Sequence, residues 1–186
     1  MEILMPVETL LKITMKTDQL LPTEFAPYYS TYISRVDQEA NLLEELEISV
    51  HEFIKFVQNI PLDKYDYRYA EGKWTIKDII QHLMDSERIF AYRALRIARN
   101  DKTPLPGFEE NDYADTANAN ERSIRDLLTE LAIIRQSTIA LFATFNEEIL
   151  KRMGIASGYD VSVRALGFII IGHQKHHQKI FMERYL

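Results

Sequence analysis

Apolar residues recur at helical spacing in four stretches of the chain, with polar positions between them. The first stretch, from about Asp37 to Gln58, lines up Leu42, Leu43, Leu46, Val50, Phe53 and Val57. The second, from about Thr75 to Arg99, lines up Ile79, Leu83, Ser86, Phe90, Ala94 and Ile97. Thr75 with Asp78 three residues on is a capping-box pattern, with Asp in place of the usual Glu. The third, from about Asn120 to Glu147, carries Ile124, Leu127, Leu131, Ile134, Thr138, Leu141 and Phe145. The fourth, from about Ser162 to Tyr185, carries Leu166, Ile170, His173, His177 and Ile180, with Ser162 as a good N-cap. No strand-like alternation competes with these patterns. The expected fold class is all-α, and the expected architecture is a four-helix bundle.

The link between the second and third stretches, "NDKTPLPGFEENDYADTANA", takes about 20 residues, where bundle connections usually take about 2–8. Extended, it reaches on the order of 60 Å, against roughly 37 Å for a helix of about 25 residues. It can therefore run back along the bundle and leave the second and third helices parallel. That gives an up-down-down-up order. Pro104, Pro106, Gly107, Phe108 and Tyr113 suggest a packed loop rather than a flexible linker.

Composition narrows the setting. At 186 residues the chain suggests one domain. A formal net charge of -6 disfavours nonspecific nucleic-acid binding. There is no cysteine, which removes disulfides, thiolate catalysis and cysteine metal sites. No apolar run approaches the roughly 20 residues of a membrane span. The N-terminus, "MEILMPVETLLKITMKTDQLLP", lacks a signal-peptide core, so a cytoplasmic protein is expected. Met15 reads as an alternative start, which makes the segment before it either an extension outside the fold or a short helix docked on it.

The candidate chemistry lies in the histidines. Three of the five, His173, His176 and His177, fall within five positions, while His51 and His82 lie far upstream. A helical wheel centred on Leu166 puts His173 at about -20° and His177 at about +20°, so two core positions are given to imidazoles. His176 falls at about -80°, on the shoulder. Four residues apart, His173 and His177 can reach one ion from adjacent turns. A buried polar network is the competing explanation. Relative to Ile79, His82 lies at about -60°, at the edge of the apolar stripe. His51 lies at about 140° from Leu46, on the polar side. His82 is thus the spare ligand for a three-histidine site. Its depth, about 10 Å into its helix, approximates the roughly 12 and 18 Å of His177 and His173 from the end of theirs if the two helices are antiparallel. Zinc, nickel and iron all suit three imidazoles.

Other candidates are weaker. Arg93 lies near the inward stripe and is read as a snorkelling cation, with carboxylate binding as the alternative. Glu87 is read as a surface acid, with general base or ligand support as alternatives. Trp74 reads as a hydrophobic staple. Tyr28, Tyr29 and Tyr32 either close the bundle mouth or anchor the N-terminal segment.

Two stretches carry a resemblance. "YAEGKWTIKDIIQHLMDSERIFAYRALRIARND" followed by "TPLPGF" resembles the second helix and loop of the DinB/YfiT-like family of metalloenzymes. "SVRALGFIIIGHQKHHQKIFMERYL" resembles that family's last helix. The resemblance covers about residues 27–186 and leaves residues 1–26 outside it. It implies an up-down-down-up bundle, often dimeric, whose metal triad maps onto His82, His173 and His177. The implied metal is zinc or nickel, with iron or manganese as further candidates. The implied activities are thiol-dependent S-transfer to electrophiles, using a low-molecular-weight thiol, or metal-dependent hydrolysis of a small-molecule substrate. A non-catalytic metal- or ligand-binding bundle is the third expectation. Homodimer formation and a role in stress response come with the resemblance.

Overall fold

The computed structural model describes residues 15–186. The expectations for the segment before Met15 lie outside that range. After a short helix α1 (Ser30–Ile33), four long helices form the bundle: α2 (Leu42–Gln58), α3 (Ile76–Ala98), α5 (Ile124–Phe142) and α7 (Val163–Ile180). Two short helices, α4 (Glu110–Thr116) and α6 (Glu147–Leu150), and a hairpin of β1 (Met153–Ala156) and β2 (Tyr159–Ser162) occupy the connections.

Local chemistry sets the helix ends. The Asn41 side chain accepts from the amides of Leu43 and Glu44, so α2 starts later than its periodicity suggests. The expected capping box on α3 forms: Thr75 and Asp78 each accept the other's backbone amide. Ser162 caps α7 by accepting from Ala165 N. α5 is shorter than expected at both ends, because Ser123 caps it through Asp126 N and Phe142 closes it. Phe145 is nevertheless buried, outside the helix.

Cross-helix pairs give the directions. Gln81 and Arg88 of α3 meet Arg122 and Glu130, which precede and lie on α5, in the same order along both segments. Those two helices are parallel. α2 and α7 also run together, since Ser49 O accepts from Gln174 Nε2 and the Phe53 and Phe181 rings stack 6.0 Å apart. α3 and α7 are antiparallel: His82 near the start of one meets His173 and His177 near the end of the other. The order is up-down-down-up, as the long crossover requires. α4 lies within that crossover, and Leu105 bridges to Ala156 of the hairpin.

The hairpin departs from the all-helical reading. Its turn residues, Ser157 and Gly158, have φ of 53° and 82°. Positive φ at both central positions is the geometry a tight two-residue hairpin needs. The strands are only four residues each, too short for alternation to register in the sequence.

Two apolar clusters fill the bundle. One gathers Leu46, Phe90, Phe142, Phe168 and Ile171; the other gathers Phe53, Ile80, Leu131 and Phe181. Between them every long helix contributes a buried polar residue: Ser49, Glu87, Arg135 and Gln174. Residues 15–26 pack on the same body. Met15 is buried, and Glu24 takes a two-point contact from Arg164 of α7. No helix of the described residues is long and apolar enough to cross a membrane.

Candidate metal centre

α3 and α7 bring His82, His173 and His177 to one point, as the helical wheel predicts. The Nε2 atoms of His82 and His173 are 3.0 Å apart, and those of His177 and His173 are 3.1 Å apart. Ligand atoms from all three rings lie within 4.8 Å of one another. All three side chains are buried. His51 is exposed, and half-buried His176 stands beside the group with its ring 5.2 Å from that of His177.

Hydrogen bonding alone does not satisfy this arrangement. A neutral imidazole offers one donor and one acceptor nitrogen. His173 Nε2 faces two other Nε2 atoms and has one in-plane site to share between them. A cation at the centre answers all three lone pairs. Tetrahedral zinc, with Zn–N of about 2.0–2.1 Å, places its ligand nitrogens roughly 3.3 Å apart, close to the separations here. The residues present therefore fit a divalent ion.

Electrostatics keep the rings neutral. Burial lowers the His82 pKa to about 4. Burial, followed by the charge each neighbouring ring would carry, holds His173 and His177 well below the ordinary imidazole value. Neutral imidazole is the ligating form.

The bundle's polar layer supports the triad from behind. Arg135 donates from Nε and Nη2 to the two oxygens of Glu87 at 2.8 and 3.0 Å, and from Nη2 to Gln174 Oε1 at 2.9 Å. Its Nη1 donates to Leu46 O and Ser49 Oγ. Gln174, the residue after His173, is thereby tied to α2, α3 and α5. The surface reading of Glu87 is corrected: its partner is a guanidinium on another helix, a pairing that a single-helix wheel does not reveal. The Tyr32 ring lies 5.1 Å from His173 and the Trp74 ring 4.8 Å from His82. Trp74 therefore borders the centre rather than serving only as a staple. Gly172 passes so close to the Tyr32 backbone carbonyl that a Cβ there would overlap it.

Among the described residues, two cavities large enough to admit a small molecule approach the triad. One, of about 240 Å³, reaches His82 and His173 and is lined by Tyr28, Tyr29, Tyr32, Arg93 and Glu110. The other, of about 220 Å³, reaches His177 past Trp74, Ile79 and Tyr185. Asn111 lines both. Glu110, at the start of α4, places Oε2 4.0 Å from His82 Nε2. Nothing in the sequence singles out Glu110, because only the course of the crossover brings it here.

Comparison with known proteins finds relatives whose names refer to a metal. The chain is 23% identical over 156 residues to a protein of Oceanobacillus iheyensis named "Putative metal-dependent hydrolase", covering 83% of this chain and 79% of that one. It is 22% identical over 130 residues to "Putative metal-dependent hydrolase YfiT" of Bacillus subtilis, covering 69% and 71%. The solved structure of YfiT, described as "a probable metal-dependent hydrolase with an unusual four-helix bundle topology", superposes with a TM-score of 0.68 at 19% identity, over 76% of this chain and 82% of that one. That likeness speaks to the fold. The sequence profile of the DinB superfamily matches residues 45–181, about three-quarters of the chain, and the protein belongs to that superfamily.

Proposed function

We propose that the protein is a divalent-metal-dependent enzyme in which His82, His173 and His177 hold the ion through Nε2. The observation that carries this reading is the convergence of three buried Nε2 atoms with no hydrogen-bonding scheme that satisfies them. Zinc or nickel is the proposed ion, with iron as a further candidate and manganese, which prefers oxygen ligands, less suited to an all-imidazole set. A bound ion supplies Lewis acidity and makes a water or thiol a stronger nucleophile at neutral pH.

Hydrolysis is the leading reaction, supported by the names of the relatives and by Glu110. Its Oε2, 4.0 Å from His82 Nε2, can accept the proton that the attacking water loses and return it to the leaving group. Tyr32 and Trp74 flank the rings and limit access of bulk water. The Arg135–Glu87–Gln174 layer fixes the turn of α7 that carries His173. A small-molecule substrate enters through the cavity that reaches His82 and His173. The test is turnover of a panel of simple esters and amides by the metal-loaded protein, with Glu110→Gln alongside. Activity lower by about 10²–10⁴-fold at unchanged metal content supports the role of Glu110. Full activity in the variant contradicts it.

Thiol-dependent transfer is the second reading, and the second cavity favours it. With Asn111 shared between two cavities, a thiol cosubstrate and an electrophile have separate approaches to the histidines. The chain has no cysteine, so the sulfur comes from a low-molecular-weight thiol. Conjugation that requires added thiol, with no ester or amide turnover in its absence, would select this reading. A homodimer is proposed as the assembled form; light scattering at twice the chain mass would support it, and the mass of a single chain would contradict it.

A further inference from the structure

Among the described residues three arginines are buried, and two of them are matched by carboxylates. Arg135 faces Glu87 through two hydrogen bonds, and Arg164 faces Glu24 in the same way. Arg93 is as buried as these, at 2% exposure against 1% and 6%. Among the described residues no carboxylate pairs with it. Its Nη2 donates to Pro106 O at 2.7 Å and to Ser157 Oγ at 2.9 Å, both neutral. Those bonds clamp the guanidinium between the crossover and the hairpin turn, and its Cζ lies 5.9 Å from the centre of the Phe90 ring. Nε and Nη1 make no hydrogen bond to the described residues. A buried cation left unpaired is costly, and this fold avoids that cost at its other two sites.

Arg93 also lines the cavity that ends at His82 and His173. It is the one arginine or lysine in that lining, while Glu110 stands at the His82 end. The Phe90 ring is 6.2 Å from the His173 ring and 5.9 Å from the guanidinium, so a single aromatic ring separates Arg93 from His173. A small molecule can span the two.

We propose that Arg93 is the anion subsite of this cavity, and that the substrate carries a carboxylate which accepts from a free guanidinium N–H while its reacting end lies at the histidines. With Nη2 committed to its two anchors, Nε and Nη1 remain to donate, and the single positive charge matches a carboxylate monoanion through a charge-assisted hydrogen bond. A phosphate dianion calls for more positive charge than a single arginine provides. The inference rests on the metal-site reading for the position of the reacting end. The sequence left Arg93 between snorkelling and carboxylate binding; its burial and its neutral anchors favour the second.

The test titrates zinc-loaded protein, its metal content verified first, with 4-mercaptobutyrate and with its neutral analogue 4-mercaptobutyramide, followed by calorimetry. The acid should bind at least tenfold tighter than the amide. In Arg93→Met the two should bind alike, with the amide's affinity and the metal content unchanged, and Arg93→Lys should recover part of the preference. Equal binding of acid and amide to the unaltered protein overturns the proposal without any variant, as does a preference that survives Arg93→Met. Inorganic phosphate competing better than acetate overturns the carboxylate assignment. A chain that takes up no zinc contradicts the metal site alone. The subsite is then read on the metal-free protein by thermal unfolding, where glutarate should raise the midpoint and glutaramide should not; equal midpoints overturn it.

Discussion

His82 and His173 are 91 positions apart in the chain, yet their Nε2 atoms lie 3.0 Å from each other across the α3–α7 contact. The sole tryptophan, Trp74, has its ring 4.8 Å from that of His82. Ion binding at the histidines must alter the surroundings of this indole. Titration of metal-free protein with zinc should therefore change Trp74 fluorescence and saturate at one equivalent. In His82→Ala the change should be lost or need more than about 100-fold higher zinc, since removing a ligand costs at least as much as disturbing its support. A full response at one equivalent in that variant would contradict the assignment.

Protonation should compete with the metal and with folding. His82 has its pKa lowered to about 4 by burial, and His173 and His177 lie well below the ordinary value. In the unfolded chain the same rings titrate near about 6.5. Below that pH the unfolded state binds more protons than the native state, so stability falls as pH falls. The metal-free protein should be at its most stable above about pH 6.5 and lose up to about 1.4 kcal/mol per histidine per pH unit toward pH 4. Urea unfolding at pH 7.5, 6.5 and 5.5 measures the slope. It should flatten in a His173→Ala/His177→Ala double variant.

The Glu87–Arg135 pair makes a separate prediction about stability. Both side chains are almost fully buried, and five hydrogen bonds converge on the guanidinium. Glu87→Ala leaves a buried cation unmatched and should cost about 3–5 kcal/mol. Glu87→Met with Arg135→Met removes both charges and should recover much of that loss. Denaturant unfolding of the single and double variants measures the difference. A single variant as stable as the original would remove the polar layer from the account.

Much of the bundle is legible from periodicity alone, because each long helix keeps one apolar stripe against the core. His173 and His177 were legible for the same reason: imidazoles occupy positions where the stripe calls for aliphatic side chains. Thr75 and Ser162 announced their helices because a cap is a local hydrogen bond. What escaped depends on partners distant in sequence. Glu87 looks like a surface acid until Arg135 of α5 is placed against it. Glu110 has no local mark, since the route of the crossover alone brings it to His82. The hairpin left a faint signal, the Ser157–Gly158 pair, whose positive φ values define its turn. The late start of α2 follows from Asn41, whose side chain caps the helix through the amides of Leu43 and Glu44.

The most direct test of the account is elemental analysis of the purified protein and of its His173→Ala variant, after equilibration with zinc and removal of excess. His173 is the shared neighbour of both other rings, with Nε2 contacts of 3.0 and 3.1 Å. The account predicts about one divalent ion per chain in the unaltered protein and close to none in a folded His173→Ala variant, while His176→Ala keeps its ion. Equal metal content in the unaltered protein and the His173→Ala variant, or none in either, would contradict it.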